Sequence, residues 1–321
     1  MLDTIKKLPL AVSGLILSLV ALANLLTPFL PIVRPILQSI ALFGILLLFV
    51  KFLSDRRAVL QEFRNPIVAS SFATFLMAIQ LLSSSLPLPK VVGHGFWYLA
   101  VLTYLSYIVF FTYRFARQRD LSIVYPSWFI VYVGFAMVGV SAPAFQEYGI
   151  GLFSLVFASL SFLILAPIVL YRLSKYGIGK DIRPILAIFA APVSLILTAY
   201  LSLHQEVNSL IVISILIVSQ LIYSFVILRF YTFIGSRFSP LYSAFTFPAV
   251  STAIGLRLAL AKLAVQSPIL LTLSYLEIVV ATTIVLYVLY SYIILVVKSG
   301  LLASKAFQTQ TSYQEESSFP K

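Results

Sequence analysis

Ten apolar stretches, each about as long as a membrane-spanning helix, take up almost all of this 321-residue chain. A helix needs about 20 mainly apolar residues to cross a bilayer. Hydrophobic residues make up 61% of the chain and charged residues 10%, against about 45–50% and about 25% in a soluble domain. The sequence therefore predicts an all-α polytopic membrane protein with ten transmembrane helices. The stretches lie near residues 8–27, 32–53, 66–86, 92–113, 126–146, 150–172, 184–203, 208–231, 240–263 and 268–298.

The charges of the connecting loops predict the topology. The chain has 22 Lys and Arg against 10 Asp and Glu, and basic residues collect in cytoplasmic loops. If both termini are cytoplasmic, only Arg34, Lys90, Arg257 and Lys262 fall elsewhere. This accounts for the net charge of +12 without a nucleic-acid partner. We expect an integral protein of the plasma membrane, with a transmembrane domain over residues 1–300 and a flexible cytoplasmic tail over 301–321. The basic residues on the cytoplasmic side would be Lys6, Lys7, Lys51, Arg56, Arg57, Arg64, Arg114, Arg117, Arg119, Arg172, Lys175, Lys180, Arg183, Arg229, Arg237, Lys298, Lys305 and Lys321.

A proline begins every odd-numbered stretch. The five are Pro9, Pro66, Pro126, Pro184 and Pro240, with spacings of 57, 60, 58 and 56 residues. Proline suits the first turn of a helix, where its missing N–H would have no partner. A recurrence near 58 residues indicates five helical hairpins, each led by a proline-started helix.

A second layer follows each starting proline by seven and eight residues. Three of its members are helix breakers at one depth, namely Gly134, Pro192 and Pro248. Small and kinking residues can simply allow close helix packing, but broken helices are also tolerated where they line a cavity. We predict that the odd helices form an inner ring around a pore. The predicted lining comprises Ile16, Leu17, Ala73, Thr74, Val133, Gly134, Ala191, Pro192, Phe247 and Pro248.

Three segments resemble a known family. They are RPILAIFAAPVSLILTAYLSL (183–203), YPSWFIVYVGFAMVGVSAPAF (125–145) and SPLYSAFTFPAVSTAIG (239–255). They are similar to the tellurite-resistance/dicarboxylate transporter family of the voltage-dependent anion channel superfamily. That family includes plant slow anion channels, fungal malate permeases and fungal sulfite exporters. The likeness covers residues 7–298.

The resemblance implies five hairpins in quasi-fivefold order around a central pore, with the odd helices inside. It also implies a homotrimer in which every protomer has its own pore. The family carries a pore-blocking Phe on the ninth helix, and the matching residue is Phe247 in FTFP. Phe245 is the alternative if the register differs by two residues. An apolar ring would gate the pore by excluding water.

Charges within the apolar stretches are functional candidates, because they are expensive in lipid. Arg257 and Glu277 lie at similar distances from the turn near Ser267 and could form an ion pair. Alternatively, Arg257 and Lys262 could attract anions to the outer half of the pore. Hydroxyl groups on the odd helices could either replace an anion's water or link neighbouring helices.

The predicted function is passive passage of a small anion such as dicarboxylate, tellurite, sulfite, nitrate or chloride. The alternative is a proton-coupled carrier, which would need His94, His204, Glu147 or Glu206 at a pore mouth. An embedded enzyme is disfavoured, because the chain has no cysteine and two widely separated histidines. It shows no catalytic or metal-binding motif, so we expect neither cofactor nor metal.

Overall fold

The computed structural model describes residues 5–6, 8–235 and 238–317, and its side chains as far as Lys298. These residues form helices and no β-strand, which confirms the all-α prediction. Lys7, Arg237 and Lys321 lie outside the described residues, so their predicted place in the topology stays a prediction. The transmembrane helices are α1 Val12–Leu26, α2 Val33–Ser54, α3 Pro66–Ser85, α4 Lys90–Arg114, α5 Trp128–Phe145, α6 Tyr148–Tyr176, α7 Lys180–Leu203, α8 Ser209–Leu228, α9 Pro240–Lys262 and α10 Pro268–Ser317.

Nine of these helices, all those of the described residues except α1, are long and apolar enough to cross a membrane. The α-helical part of α1 has 15 residues. Tight turns extend it at both ends, from Pro9 O, which accepts from Val12 N at 3.1 Å, to Leu30 N, which donates to Leu26 O at 2.9 Å. The first predicted stretch, 8–27, is therefore present as a short α-helix with additional turns at both ends.

The odd helices form a closed inner ring. α1 contacts α3 and α9, α3 contacts α5, α5 contacts α7, and α7 contacts α9. Each even helix packs against the odd helix that precedes it in the chain. The five hairpins predicted from the proline period are therefore arranged side by side around one axis.

Burial distinguishes the two layers. In their most apolar parts, α3, α5, α7 and α9 are each 72% buried, whereas the five even helices are 22% to 33% buried. The even helices expose large apolar side chains such as Phe49, Leu163 and Leu221. This distribution is that of a membrane protein whose outer helices face lipid.

Local signals at the helix starts explain why the helices begin where they do. The Asn65 side chain accepts from Ile67 N at 2.9 Å, which caps α3 just before Pro66. Ser239 Oγ accepts from Leu241 N at 3.3 Å before α9 in the same way. α7 differs, because it begins at Lys180 as a 3₁₀ helix that contains Pro184.

The start of α1 is held by a buried ion pair. Lys51 was expected as a loop charge, but its side chain is 1% exposed and pairs with Glu62. Its Nζ also donates to Leu8 O at 2.6 Å, and Leu10 N donates to Glu62 Oε2 at 3.4 Å. This contact joins α2 and the short helix Arg56–Glu62 to the chain entering α1.

The predicted flexibility of the tail stays a prediction. The described backbone continues as a helix to Ser317, and residues 318–321 lie outside the described part.

Candidate permeation pathway

Two inner helices, α5 and α7, change their backbone geometry at nearly the same depth, and a third, α9, carries a proline there. α5 is α-helical over Trp128–Tyr132 and 3₁₀ over Val133–Ala136 before it resumes as an α-helix. α7 changes from 3₁₀ to α-helix at Ala190, just before Pro192, and α9 contains Pro248. α1 and α3 are continuous at this depth and α9 stays α-helical through Pro248, so the predicted layer of breaks occurs in two of the five helices.

A cavity lies within the ring at this depth, and every odd helix contributes to its wall. We call it the ring cavity. The volume of the cavity that is open to the centre of a water molecule is about 50 Å³, which is enough for a few water molecules. None of its lining residues is charged. They are Ala11, Gly14, Ser71, Thr74, Met77, Phe129, Ile130, Val133, Gly134, Ile185, Ile188, Ala191, Pro192, Leu195, Leu241, Ser243, Ala244, Phe247 and Pro248.

Seven of the ten residues that the sequence predicts as lining are in this wall. They come from α3, α5, α7 and α9 and are Thr74, Val133, Gly134, Ala191, Pro192, Phe247 and Pro248. Other lining residues, such as Ile130, Ile188, Leu195 and Ala244, were missed. They lie three or four residues from the predicted layer, so the helical period of 3.6 residues was the signal that could have identified them.

Three predicted positions, Ile16, Leu17 and Ala73, are not among the residues that line the ring cavity. The Ile16 side chain packs on Gly44 of α2, about 2.9 Å from where a Cβ on that glycine would lie. Ala11 and Gly14, two and five residues after Pro9, face the cavity in its place. Leu17, the neighbouring candidate, is also buried away from it.

Ala73 of α3 also does not line the ring cavity. The lining residues of α3 are Ser71, Thr74 and Met77, which share one face at a spacing of three residues. Successive helix residues point about 100° apart. Ala73, although buried, therefore points to the side of that face.

Phe247 and Phe245 have different environments. Phe247 lines the ring cavity and is 7% exposed. The Phe245 ring packs against Phe230 at a centroid distance of 4.8 Å and against Tyr242 at 5.8 Å. The register with Phe247 at the cavity is therefore the one that the fold adopts.

Tyr104 of α4 accommodates the break in α5, and sequence reasoning missed it. A 3₁₀ segment leaves some carbonyl groups without their usual α-helical partner. The Tyr104 hydroxyl donates to Ile130 O at 2.6 Å and approaches so closely that a Cβ on Gly134 would lie 2.6 Å from it. Gly134 is thus needed for close approach.

Four pairs of hydroxyl groups link neighbouring inner helices. Ser194 Oγ and Ser251 Oγ are 2.5 Å apart between α7 and α9. Similar bonds join α1 with α3, α3 with α5, and α9 with α1; the pairs are Thr74–Ser13 at 2.9 Å, Ser70–Ser127 at 2.6 Å and Ser18–Thr246 at 2.6 Å. Of the two predicted roles, cross-linking is the one these contacts support.

The charged candidates do not come together. Arg257 and Glu277 form no ion pair, so that prediction was wrong; within the described part of the chain the one ion pair is Lys51–Glu62. Arg257 stacks over Phe29 at 4.4 Å. Glu277 is 4% exposed and lies beside Gln220 and Tyr223 of α8.

Lys262 is occupied at the end of the ring. Its Nζ donates to His204 O at 2.8 Å and to Gln205 O at 3.3 Å, just after α7. These carbonyls are partners that the sequence did not indicate. Neither Arg257 nor Lys262 lines the ring cavity.

The histidines are also away from the ring cavity. His94 nitrogens lie 3.0 Å from Lys90 O and 3.1 Å from Phe145 O. His204 Nδ1 lies 2.9 Å from Tyr200 O. In the residues that the structure covers, no group of three His, Cys, Asp or Glu side chains could hold a metal ion.

Comparison with known proteins gives one clear match. A family model described as voltage-dependent anion channel matches residues 7–293, which include α1 to α9 and the first half of α10. A search of curated protein sequences gave no significant match.

Proposed function

Because the chain belongs to the voltage-dependent anion channel family, we propose that it conducts small anions passively along the axis of its inner ring. The observation that carries the proposal is the ring cavity, to which all five odd helices contribute and no charged side chain does. Conduction needs binding weak enough for the ion to leave. An uncharged wall meets this requirement, because it lacks a fixed cation that would retain an anion.

Weak polar groups favour anions over cations in this pathway. Ser71, Thr74 and Ser243 line the ring cavity. The hydroxyl groups of Thr74 and Ser243 already bond to Ser13 and Tyr292, so Ser71 is the proposed donor to an anion. The α-helical part of α7, Ala190–Leu203, begins beside it. A helix N-terminus carries a partial positive charge, which adds a modest attraction.

Phe247 is the proposed gate. Its ring lines a cavity that holds only a few water molecules. The cavity therefore does not form a continuous water-filled path across a hydrocarbon core about 30 Å thick. Apolar constrictions block ions by excluding water. A change of the Phe247 rotamer would widen the path without breaking a polar contact.

The proposed substrates are dicarboxylates, tellurite, sulfite, nitrate and chloride. Liposomes with purified protein test both the anion class and the passive mechanism. We expect a gradient of a small anion to drive flux, and replacement of that anion by the larger gluconate to lower the flux. A pH step alone should drive no malate uptake. Malate uptake that depends on the pH step would instead indicate the proton-coupled carrier and contradict the channel.

We further propose a homotrimer in the plasma membrane, with both termini cytoplasmic. The family resemblance supports the trimer, and the loop charges support the orientation. The protein mass of the detergent-solubilised complex tests the trimer, which requires three times the 35.6 kDa of one chain. Because the chain has no cysteine, single-cysteine variants at Lys90 and Arg117 can test the orientation by labelling from either side.

A further inference from the structure

A groove separate from the ring cavity lies between α1, α9 and α10, at the ends of α1 and α9 that are opposite Pro9 and Pro240. We call it the outer groove. It offers about 530 Å³ to the centres of water-sized spheres and shares no residue with the ring cavity. It is bounded on one side by α10, which belongs to the outer layer, so it lies off the axis of the ring.

Arg257 is a positioned cation in this groove. Its Cζ lies 4.4 Å from the Phe29 ring centroid, and Phe29 packs edge to face on Tyr275 at 5.9 Å. The guanidinium makes no ion pair or hydrogen bond with the described residues. A half-buried arginine at this depth is expensive without an anionic partner.

Ser274 supplies a second, independent indication. It lines the groove, is 2% exposed, and its Oγ has no hydrogen-bond partner among the described residues. A buried hydroxyl group normally has one. Asn24 also lines the groove, and its Oδ1 accepts from Gln38 Nε2 at 3.5 Å, which leaves its amide nitrogen as a further donor.

The geometry points to a phosphate group, carried by an anionic phospholipid, as the ligand of the outer groove. A guanidinium binds phosphate through two parallel hydrogen bonds, and the Ser274 hydroxyl can add a third. No residue lining the groove is acidic, so nothing there would hold the cation of a zwitterionic headgroup.

The depth and the walls of the groove fit a lipid better than a free anion. Arg257 lies five residues before the end of α9 at Lys262, about 7.5 Å along a helix. This places it where headgroups meet the acyl chains. Leu25, Leu258 and Leu271 line the groove next to it and give the first part of an acyl chain an apolar surface. The lipid would join α1, α9 and α10.

Native mass spectrometry and thermal unfolding of the purified full chain test this site, with phosphatidylglycerol as the probe. We expect phosphatidylglycerol to remain bound and to raise the Tm. Arg257→Gln should weaken that binding at least tenfold, because it removes the positive charge and two parallel hydrogen bonds to the phosphate. Ser274→Ala should weaken it several-fold, because it removes one hydrogen bond and no charge. Lys90→Gln is the matched control, since Lys90 is exposed on the same side and outside the groove.

The source of the phosphate is distinguished by two further probes, inorganic phosphate and the neutral lipid diacylglycerol. The proposal expects neither to raise the Tm as phosphatidylglycerol does. Equal stabilisation by inorganic phosphate would overturn the lipid assignment. Unchanged phosphatidylglycerol binding by both Arg257→Gln and Ser274→Ala would overturn the site. If Arg257→Gln does not fold, Ser274→Ala alone decides, and binding equal to that of Lys90→Gln contradicts the proposal.

Discussion

The inner and outer helices all form apolar stretches but differ in their backbones. The outer helices α2, α4, α8 and α10 are continuous α-helices, and α6 stays α-helical through Pro167. Among the inner helices, α5 and α7 contain 3₁₀ segments, and α9 begins with a 3₁₀ turn at Pro240 before it continues as an α-helix through Pro248. Backbone polar groups exposed to lipid must be satisfied within their own helix. Irregular backbone is therefore confined to the layer where protein surrounds it.

The difference shows how the ring can enclose a pathway. Broken segments in α5 and α7 and a proline in α9 are held by contacts from neighbouring helices, such as the bond from the Tyr104 hydroxyl to Ile130 O. The outer helices supply such contacts and cover the ring. The inner layer can thus present small side chains and kinks to its axis, while the outer layer keeps lipid away from them.

The largest difference in stability between the two layers should appear when one methyl group is added to an inner helix and, separately, to an outer helix. Gly134→Ala places its Cβ 2.6 Å from the Tyr104 hydroxyl and 3.0 Å from Met77 Sδ, whereas a Cβ at Gly95 of α4 meets nothing within 4 Å. We expect Gly134→Ala to destabilise by about 1–3 kcal/mol. Gly95→Ala should be neutral or stabilise by up to about 1 kcal/mol. Thermal unfolding in detergent measures both.

A double-mutant cycle sharpens this test. If the Tyr104 hydroxyl causes the clash, Gly134→Ala combined with Tyr104→Phe should lose less stability than the two single changes added together. Equal effects of the two alanine substitutions, or strict additivity in the cycle, would contradict the distinction drawn between the layers.

A smaller difference is expected for hydroxyl groups. Ser194 of α7 bonds to Ser251 of the neighbouring inner helix α9, whereas exposed Thr283 of α10 bonds only to Val279 O of its own helix. Ser194→Ala should cost about 0.6 kcal/mol, the typical value of an interhelical bond in a membrane. Thr283→Ala should change the unfolding temperature less. A larger loss for Thr283→Ala would argue against cross-linking as the role of the ring hydroxyls.

The sequence predicted the hairpins well because proline marks helix starts through local chemistry. In α5, α7 and α9 both residues of the predicted pair line the wall of the ring cavity. The pairs are Val133–Gly134, Ala191–Pro192 and Phe247–Pro248. The sequence missed lining positions of α1 and α3, where Ala11, Gly14 and Ser71 line the wall instead of Ile16 and Ala73, because tertiary packing sets the rotation of a helix about its own axis.

The ion-pair prediction failed for a related reason. Counting residues from a turn gives the depth of a side chain but not its direction around the helix. Arg257 points toward Phe29 before α2, whereas Glu277 lies beside α8. Tertiary packing decides that direction, so the outer groove also could not be foreseen.

The most direct test of the account compares planar-bilayer currents of Phe247→Ala and Phe245→Ala under one anion gradient. The two residues are neighbours on α9, but only Phe247 lines the ring cavity. The account predicts that Phe247→Ala raises the anion current at least tenfold, while Phe245→Ala leaves the current of folded protein near that of the wild type. Unchanged current in well-folded Phe247→Ala, or an equal increase in both variants, would contradict a pathway constricted by Phe247.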